Sequence, residues 1–458
     1  MKVHFIGIGG IGVSALAQYY LAKGHRVSGS DLNSSEITDF LKKKGIKIFI
    51  GPHKTSNLPK NVDLVIYSPA VQSNNPELKE ARKKRTKSQS YPQALGELTK
   101  KYYTIAIAGT HGKSTVTAMI GLILIKAGLD PTVILGTKLK EFRNSNFRMG
   151  KSKFLVIEAD EWQASFLNYW PKIIVLTNIE REHLDYYKDL KHIIKTYREF
   201  IKHLPENGIL VMNEGDKNIS NLKSQISNLN LKTQIYTLKQ KETKKLRKIL
   251  KVPGEHNVLN ALAALAVARV LKIPDKISFK ALAEYRGAWR RFEEKDLKIE
   301  NCKLKIISDY AHHPTEIEAT LKAVRQKYPK KQIWCIFQPH QYQRTFYLFD
   351  DFVHVFKKAL SETGSLSTGK GKLVNRLIIT DIFDVAGREL KGIKKKVSSR
   401  KLIEAINAPW AIYLPEREII SYLKKNLKGK ELVIVMGAGD IYKLTEQLTT
   451  ENYPQQRG

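Results

Sequence analysis

Short apolar runs that fit β-strands alternate with amphipathic segments that fit helices along most of the chain. Within residues 2–97 the strand-like runs are "KVHFIGI", "RVSGSD" and "DLVIYSP". A helical pattern follows Ile11, and another is "NNPELKEARKK". Because strand patterns that alternate with helical patterns are typical of a parallel sheet covered by helices, this part predicts an α/β domain.

The same alternation begins again twice. "YYTIAIAG" opens a second run that continues through "KFLVIEAD" and "KIIVLTN" to the helical "NVLNALAALAVARVL". "CKLKIISDYAHH" opens a third, which continues through "QIWCIFQPH", "NRLIITDIF" and "ELVIVMGAGD". A chain of 458 residues is also too long for one ordinary domain. We therefore predict three α/β domains, with boundaries near 98 and 294, and a mobile surface loop at the Ser/Thr/Gly/Lys-rich segment 361–372.

The composition excludes several classes of protein. It is that of a soluble globular protein, 42% hydrophobic and 27% charged. The two cysteines, Cys302 and Cys335, argue against a disulfide framework or a zinc site and fit a reducing compartment. No apolar run is long enough to span a bilayer, and four glycines interrupt the apolar start that would otherwise suggest a secretory signal. We therefore expect a cytoplasmic protein without membrane insertion.

The formal net charge of +34 calls for an explanation. Basic proteins bind nucleic acids, anionic lipids or small acidic ligands. Here the lysines are spread along the chain in short clusters such as "RKKRTK", and no nucleic-acid module with interleaved aromatic residues is found. Solvation of the surface is thus favoured over specific nucleic-acid binding. The charge would still raise the local concentration of polyanionic substrates.

The first glycine-rich turn has the spacing of a diphosphate-binding loop. Gly7, Gly9 and Gly12 follow a strand and open a helix, whose terminal amides can approach a diphosphate. Asp31 ends the next strand, where its carboxylate can accept hydrogen bonds from a ribose or a base. Taken alone, the pattern is most often that of a nicotinamide dinucleotide site. Glycines that only permit close strand–helix packing are the alternative.

The second glycine-rich turn is of a different type. In "GTHGKS" the loop amides would surround phosphate oxygens, Lys113 would reach the β- and γ-phosphates, and Ser114 would ligate magnesium. The motif departs from the standard phosphate-binding loop because Ile107 occupies the place of the first glycine. A helix start without a ligand remains the alternative.

Two residues downstream support phosphate chemistry. Glu158 ends the strand "FLVIE", and His183 follows another strand. Ligands bind at such strand ends in open α/β sheets. Glu158 suits magnesium, which prefers hard oxygen donors. For His183, a softer ligand, a metal or water-mediated role and a structural role are equally open.

Several segments taken together resemble a known family. "AGTHGKST", "EADE", "NIEREHLDYY", "GEHNVLNA", "GAWRRFE" and "DYAHHPTEI" occur in the order and spacing of the Mur ligases, ATP-dependent amide-forming enzymes of peptidoglycan precursor synthesis. The resemblance extends from residue 3 to about 445. It implies a Rossmann-like UDP-sugar domain (1–98), a central P-loop ATPase-like domain (99–293) and a Rossmann-like C-terminal ligase domain (294–458) that completes the ATP and amino-acid site.

Within that family, "FIGIGGIG", "FQPHQYQRT" and "GAGDI" are most similar to members that join L-alanine to UDP-N-acetylmuramate. The resemblance implies that two nucleotides are held at once, a UDP-sugar at the first loop and ATP with Mg²⁺ at the second. The lactyl carboxylate would attack the γ-phosphate, and the amine would then attack the resulting acyl phosphate. A ligase that salvages cell-wall tripeptide is the nearest rival; an NAD-dependent dehydrogenase and a nucleic-acid binder are more distant ones.

The resemblance also implies residue roles. The ATP-binding residues would be Gly109, Thr110, His111, Gly112, Lys113, Ser114, Thr115, Asn257, Asn260, Arg291 and Asp309. The UDP-sugar residues would be Gly7, Gly9, Gly10, Gly12 and Asp31. Magnesium would be held by Ser114, Glu158 and His183, and the catalytic residues would be Lys113, Glu158, His183 and Arg291. Candidates for the substrate side of the third domain are His312, His313, His340 and Arg344.

Three of these assignments have structural alternatives. The helix "NVLNALAALAVA", which carries Asn257 and Asn260, would pack well whatever its asparagines contact. The alternative role for Asp309 is to cap the turn before Ala311. The alternative role for His312-His313, which precede Pro314, is to start a helix. Four departures from the family pattern also leave the substrate open, namely Trp162-Gln163, Tyr91-Pro92 in place of the usual "RA", Gln341 and Arg388. Glycine or serine thus stands beside alanine as the amino acid. A monomer or weak homodimer is expected.

Overall fold

The fold is known from a computed structural model that describes residues 1–299, 302–361, 372–385, 390 and 392–450. Segment 362–371 of the predicted mobile loop and the departure at Arg388 lie outside these residues. The described residues form three β-sheets with helices between their strands, so the predicted α/β class with three sheet-containing domains is confirmed. Among them, no helix is both long and apolar enough to cross a bilayer.

The first sheet has five strands, all parallel, in the order β3-β2-β1-β4-β5. Its strands are β1 (Lys2–Ile6), β2 (Arg26–Asp31), β3 (Lys47–Ile50), β4 (Leu64–Tyr67) and β5 (Lys87–Ser90). Its helices are α1 (Ile11–Ala22), α2 (Glu36–Lys43), α3 (Pro76–Lys83) and α4 (Tyr91–Thr99). The chain reverses direction of winding between β1 and β4, and ligands of such sheets bind at that switch point.

The second sheet has seven strands in the order β12-β11-β10-β6-β9-β7-β8, and β8 alone is antiparallel to its neighbour. Its strands are β6 (Tyr103–Ala108), β7 (Thr132–Leu139), β8 (Ser145–Arg148), β9 (Phe154–Glu158), β10 (Ile173–Leu176), β11 (Ile209–Asn213) and β12 (Lys232–Tyr236). Its helices are α5 (Lys113–Lys126), α6 (Leu190–Ile201), α7 (Lys217–Gln225), α8 (Glu242–Ile249), α9 (Glu255–Val270) and α10 (Asp275–Glu284).

The third sheet has six strands in the order β13-β14-β18-β15-β16-β17, and β13 alone runs antiparallel. Its strands are β13 (Glu293–Ile299), β14 (Cys302–Asp309), β15 (Gln332–Phe337), β16 (Arg376–Ile379), β17 (Ala411–Tyr413) and β18 (Glu431–Met436). Its helices are α11 (Pro314–Lys327), α12 (Tyr342–Tyr347), α13 (Phe349–Leu360), α14 (Ser399–Ile406), α15 (Glu416–Asn426) and α16 (Tyr442–Thr450).

Inner strands of all three sheets, such as β1, β6 and β18, are buried almost throughout. Helices cover both faces of a parallel sheet, so its inner strands carry continuous apolar runs rather than alternating ones. The described residues divide into two compact units. The first comprises Met1–Glu180, Leu190–Leu250 and Val258–Tyr285. The second comprises Arg181–Asp189, Lys251–Asn257 and the described residues from Arg286 onward.

A buried polar network joins the first two sheets within the first unit. Gln18 of α1 donates to the Asn146 side chain of β8 at 2.8 Å and accepts from the Ser145 hydroxyl at 3.0 Å. Asn146 in turn donates to the Ser14 hydroxyl at 2.9 Å and to the Ile11 carbonyl. Because buried polar groups are costly unless every one is paired, this network specifies how α1, which begins at the first glycine loop, lies on the second sheet.

Candidate active site

The first glycine loop is held to the edge of its sheet by backbone hydrogen bonds. The amides of Gly7 and Ile8 donate to the Ser30 carbonyl of β2 at 2.8 and 3.1 Å. Gly7 has φ +75, which a residue with a side chain adopts only at a cost. Gly10 then caps α1. Since the first amides of a helix have no partner inside it, they are available to an anion at this point.

Asp31 lies at the predicted place but is engaged with the loop itself. Its Oδ2 accepts from the Gly9 amide at 2.8 Å, and its Oδ1 accepts from the Asn33 amide at 3.3 Å. A methyl group on Gly9 would lie 2.8 Å from that Oδ2, so the glycine permits the close approach. The contact of Asp31 with a ribose stays a prediction.

The glycines of the second loop are required by their surroundings. Gly109 has φ +136, and a methyl group on it would lie 1.9 Å from the Thr177 hydroxyl oxygen. Gly112 has φ +83 and caps α5, and a methyl group on it would lie 2.5 Å from the Asn260 Oδ1. The structure therefore brings Asn260 of α9 against the phosphate-binding loop, beside the residues with which the sequence grouped it.

The Lys113 side chain is hydrogen-bonded to its own loop and to a nearby carboxylate. Its ammonium donates to the Gly109 carbonyl at 2.6 Å, to the Thr110 carbonyl at 3.2 Å and to the Glu161 Oε2 at 2.9 Å. Burial by itself would lower the pKa of Lys113, but the carboxylates of Glu161 and Asp160 outweigh it and raise that pKa. The side chain is thus a cation in the position where a phosphate would meet it. Sequence reasoning did not single out Glu161.

The polar backbone of the second loop is also fixed from β10. The Asn178 carbonyl accepts from the Thr110 amide at 3.0 Å, and its side-chain oxygen accepts from the His111 amide at 2.8 Å. Thr177 donates from its hydroxyl to the His111 carbonyl at 2.7 Å, and the Thr110 hydroxyl accepts from the Glu180 amide at 2.8 Å. The backbone of the loop is therefore held by hydrogen bonds from the residues that follow β10.

Ser114 and Glu158 form an oxygen-rich pair beside Lys113. The Ser114 hydroxyl donates to the Glu158 Oε2 at 2.9 Å, and the Gly136 amide of β7 donates to the Glu158 Oε1. Thr115 is buried behind them in α5. A hydroxyl and a carboxylate are hard donors of the kind that Mg²⁺ prefers, so the residues fit this ion. Gly136 was missed by sequence reasoning, although a glycine inside an apolar strand often marks a close approach.

In the second unit, Asp309 ends β14 and is buried. Its Oδ1 accepts from the Ala311 amide at 2.8 Å and its Oδ2 from the Phe292 amide at 2.7 Å. Burial raises the pKa of this carboxyl, while Arg291 acts in the opposite direction. Asp309 therefore caps the turn before Ala311, as the structural alternative predicted, and its contact with ATP stays a prediction. Arg291 itself lies 3.8 Å from the Glu316 carboxylate.

The two histidines before Pro314 begin α11. His313 is the N-cap, and its Nδ1 accepts from the Thr315 amide at 3.3 Å. Glu316 reaches back to accept from the His313 amide at 3.4 Å, which completes a capping box, and it also accepts from the His312 amide at 3.1 Å. The helix-start alternative therefore accounts for the His313 ring, and the substrate roles of both histidines stay predictions.

A buried ion pair gathers three of the predicted residues of the second unit. Arg344 donates from Nε and Nη2 to the Glu182 Oε1 at 2.9 and 2.7 Å, and from Nη1 to the His340 ring at 2.9 Å. The same Glu182 oxygen accepts from the His183 amide at 3.1 Å. Burial alone would raise the pKa of Glu182, but Arg344 and neighbouring histidines hold it well below its usual range. Glu182 was not among the predicted site residues.

The remaining predicted positions fall in distinct places. Asn257 donates to the Pro253 carbonyl at 2.7 Å, and the division between the two units falls within α9 directly after it. Trp162-Gln163 lies in a 3₁₀ turn in which Gln163 has φ +51. Gln341 has φ +70 and precedes α12. Such left-handed conformations at residues with side chains are uncommon and occur often at functional sites.

Three models of Mur ligase domains match successive segments of the chain. Residues 2–103 match the model of the Mur ligase family catalytic domain, residues 107–268 that of the Mur ligase middle domain, and residues 290–439 that of the Mur ligase glutamate ligase domain. A UDP-N-acetylmuramate–L-alanine ligase of Acetivibrio thermocellus is 42% identical over 468 residues, which cover 97% of this chain and 94% of the relative.

Solved structures show the same architecture. The UDP-N-acetylmuramate–alanine ligase of Thermotoga maritima superposes with a TM-score of 0.78 at 27% identity, with 99% of each chain covered. A murein peptide ligase of Psychrobacter arcticus superposes with a TM-score of 0.70 at 22% identity, again with 99% of each chain covered. At that lower identity the second likeness concerns the fold alone.

Proposed function

The chain belongs to the Mur ligase family, and on that premise we propose that it joins L-alanine to the lactyl carboxylate of UDP-N-acetylmuramate in peptidoglycan precursor synthesis. ATP is converted to ADP and phosphate in the reaction. The resemblance that the sequence motifs indicated is confirmed by the family models. One observation carries the proposal: two differently built phosphate-binding loops belong to one compact unit, as an enzyme that holds a UDP-sugar and ATP together requires.

The proposed reaction has two steps. A lactyl carboxylate oxygen attacks the γ-phosphorus of ATP, the bond to the β,γ-bridging oxygen breaks, and ADP leaves from an acyl phosphate. The amine of L-alanine then attacks the acyl carbonyl, phosphate departs with the former carboxylate oxygen, and the nitrogen releases its extra proton as the amide forms. Phosphate is a far better leaving group than a carboxylate oxygen, so ATP supplies what direct condensation lacks.

The first step brings two anions together, and this chain's cations oppose their repulsion. Lys113, held cationic by Glu161, would transfer from that carboxylate to the phosphates and stabilise charge on the transferring group. Ser114 and Glu158 would hold Mg²⁺, which supplies further positive charge at the same oxygens when it is bound. His183 is proposed for a second Mg²⁺ nearer the sugar carboxylate.

The other assigned residues complete the proposal. Asn257 and Asn260 would contact adenine, Arg291 the ATP phosphates, and Asp309 the ATP ribose. The first loop would bind the diphosphate of the UDP-sugar through Gly7, Gly9, Gly10 and Gly12, with Asp31 at its UDP part. Asn260 packs closely on Gly112, and Gly112 belongs to the loop that would hold the phosphates. This proximity supports the adenine role of Asn260.

The proposal extends to the cellular context. Because ATP and UDP-linked sugars are supplied inside the cell, the reaction would take place in the cytoplasm, by a monomer or weak homodimer. Glycine and serine remain the alternatives to alanine, since Gln341 and Trp162-Gln163 depart from the family pattern near the region that would read the amino acid. The tripeptide-salvage activity is not favoured, because the named relative at 42% identity is an L-alanine ligase.

Phosphate release from the purified protein tests the proposal. We expect release that requires Mg²⁺, ATP, UDP-N-acetylmuramate and an amino acid together, with L-alanine the best of a panel that includes glycine, serine and the tripeptide. No release with any member of the panel would refute the ligase, and release with the tripeptide alone would favour the salvage enzyme.

Lys113→Ala tests the assignment of the second loop. Turnover should fall by at least about 100-fold, the order of effect seen when one transition-state charge contact is lost. Circular dichroism should show that the fold is intact. Lys113→Gln is the second variant, because its amide keeps a donor for Glu161 and so reduces the risk that loss of activity reflects misfolding. Lys126→Ala is the matched control, because Lys126 lies at the far end of α5 in an exposed pair with Glu284. Activity retained in both Lys113 variants would show the loop assignment to be wrong.

A further inference from the structure

Tyr91 lies against the first glycine loop, although it comes from the other end of the first domain's sequence. It is the first residue of α4, which begins directly after β5, and it is half-buried. A methyl group on Gly12 would lie 2.8 Å from both the Cζ and the hydroxyl oxygen of Tyr91. The phenol therefore packs against the first turn of α1, where the glycine at position 12 leaves room for it.

This placement puts the hydroxyl beside the first turn of α1. The first amides of α1, at Ile11, Gly12 and Val13, have no acceptor within the helix, and the positive end of the helix dipole lies there. A diphosphate bound at the loop would meet these amides. The Tyr91 hydroxyl, which borders Gly12, is then within reach of the same ligand.

The hydroxyl is available as a donor. Burial first, and then the carboxylates of Glu158 and Asp160, raise the pKa of Tyr91 above its ordinary value, so the phenol keeps its proton at neutral pH. Within the part of the chain that the structure describes, the Tyr91 hydroxyl makes no hydrogen bond to the protein.

We propose that the Tyr91 hydroxyl donates a hydrogen bond to the diphosphate–sugar portion of the UDP-sugar and so sets the affinity of the enzyme for that substrate. The proposal rests on the proposed function. Tyr91 is neutral, so it would act as a hydrogen-bond donor and not as a cation. This chain would therefore recognise its acidic substrate at this point through a directed hydrogen bond.

Direct binding of UDP-N-acetylmuramate, measured by calorimetry without ATP, tests the proposal. For Tyr91→Phe we expect a Kd about 10-fold above that of the wild type, the change typical of losing one hydrogen bond to a charged acceptor. KM for the UDP-sugar should rise to a similar extent, while kcat and KM for ATP stay within about 2-fold, since the phenyl ring still covers Gly12. Tyr91→Arg, which restores a donor, should recover the affinity.

Tyr102→Phe is the matched control. It removes the same atom from a phenol whose hydroxyl already pairs with that of Tyr19 at 3.2 Å, and it should leave Kd unchanged. Wild-type affinity in Tyr91→Phe would overturn the proposal, as would equal losses for ATP and the UDP-sugar, which would indicate a packing role. If the wild type itself does not bind UDP-N-acetylmuramate, the proposed function fails, and the inference fails with it; the wild-type measurement thus separates the two failures.

Discussion

Glu77→Gln is expected to destabilise the sheet that carries the first glycine loop. Glu77 of α3 is fully buried and ionised. Four side chains donate to its carboxylate at 2.7 to 3.0 Å: His4, His53, Ser30 and Asn57. The Ser30 carbonyl also accepts from the Gly7 amide. A change at Glu77 should thus be felt where the UDP-sugar is proposed to bind.

The magnitude follows from the pKa of the Glu77 carboxyl. Burial alone would raise this pKa, but the hydrogen bonds outweigh burial and lower it from 4.5 to about 2. Since one pH unit corresponds to about 1.4 kcal/mol, the ionised carboxylate stabilises the folded state by about 3 kcal/mol. Because the pKa is lower in the folded state, this stabilisation is complete above pH 4.5 and is lost as the pH falls towards 2, with about 1.4 kcal/mol left at pH 3.

Hydrogen exchange followed by mass spectrometry measures this effect locally, which matters because a protein of several domains does not unfold in one step. At pH 7, amides of β1 and β2 that exchange through unfolding should exchange about 300-fold faster in Glu77→Gln than in the wild type. At pH 3 the ratio should fall to about 10-fold. The control is Glu80→Gln, because Glu80 lies on the same helix in a partly exposed pair with Lys84 that contributes little.

Two results would refute this reasoning. If the exchange ratio between Glu77→Gln and the wild type is the same at pH 7 and pH 3, the ionised carboxylate is not the source of the stabilisation. If the ratio at pH 7 is no larger than that of Glu80→Gln, the hydrogen bonds to Glu77 contribute no more than an exposed ion pair does.

Two further predictions concern the other site residues. Glu182→Gln leaves the buried Arg344 guanidinium without its carboxylate and should lower the free energy of unfolding of the second unit by about 3 kcal/mol or more. The double variant with Arg344→Met should recover part of this loss in a denaturation experiment; full additivity of the two losses would contradict a paired role. Gly136→Ala puts a methyl group 2.8 Å from the Glu158 Oε2 and should raise the Mg²⁺ concentration for half-maximal phosphate release about 10-fold or more. An unchanged magnesium titration would exclude Glu158 from the metal site.

The sequence was sufficient for features that depend on neighbours along the chain. Alternating strand and helix patterns predicted the α/β class with three sheets, and the observed strand orders confirm it. The glycines of both loops follow strands and open helices as expected, because a tight turn with positive φ at Gly7 and Gly112 is a local property of the backbone. Glu158 ends β9 as expected, because the apolar run that forms this strand stops there.

The contacts that complete the candidate site depended on the tertiary structure. Lys113 meets Glu161, which lies 48 residues away, and Arg344 meets Glu182, which lies 162 residues away. Nothing in the local pattern distinguishes such carboxylates from the many that solvate the surface. Their roles arise only when burial removes water and makes an ion-pair partner obligatory.

Even residues that the motifs identified acquired their immediate partners from the fold. The sequence left two roles open for His313, a substrate contact and a helix start, and the structure shows its ring accepting from the Thr315 amide at the N-terminus of α11. Tyr91 was only a departure from a pattern until the packing of α4 brought its phenol onto Gly12. The amino-acid sequence by itself determined the strands, the turns and the chemistry available, because these follow from residues close together in the chain. The tertiary structure decided which side chains are buried together. Burial and charge pairing depend on distances between segments that the chain brings together only on folding.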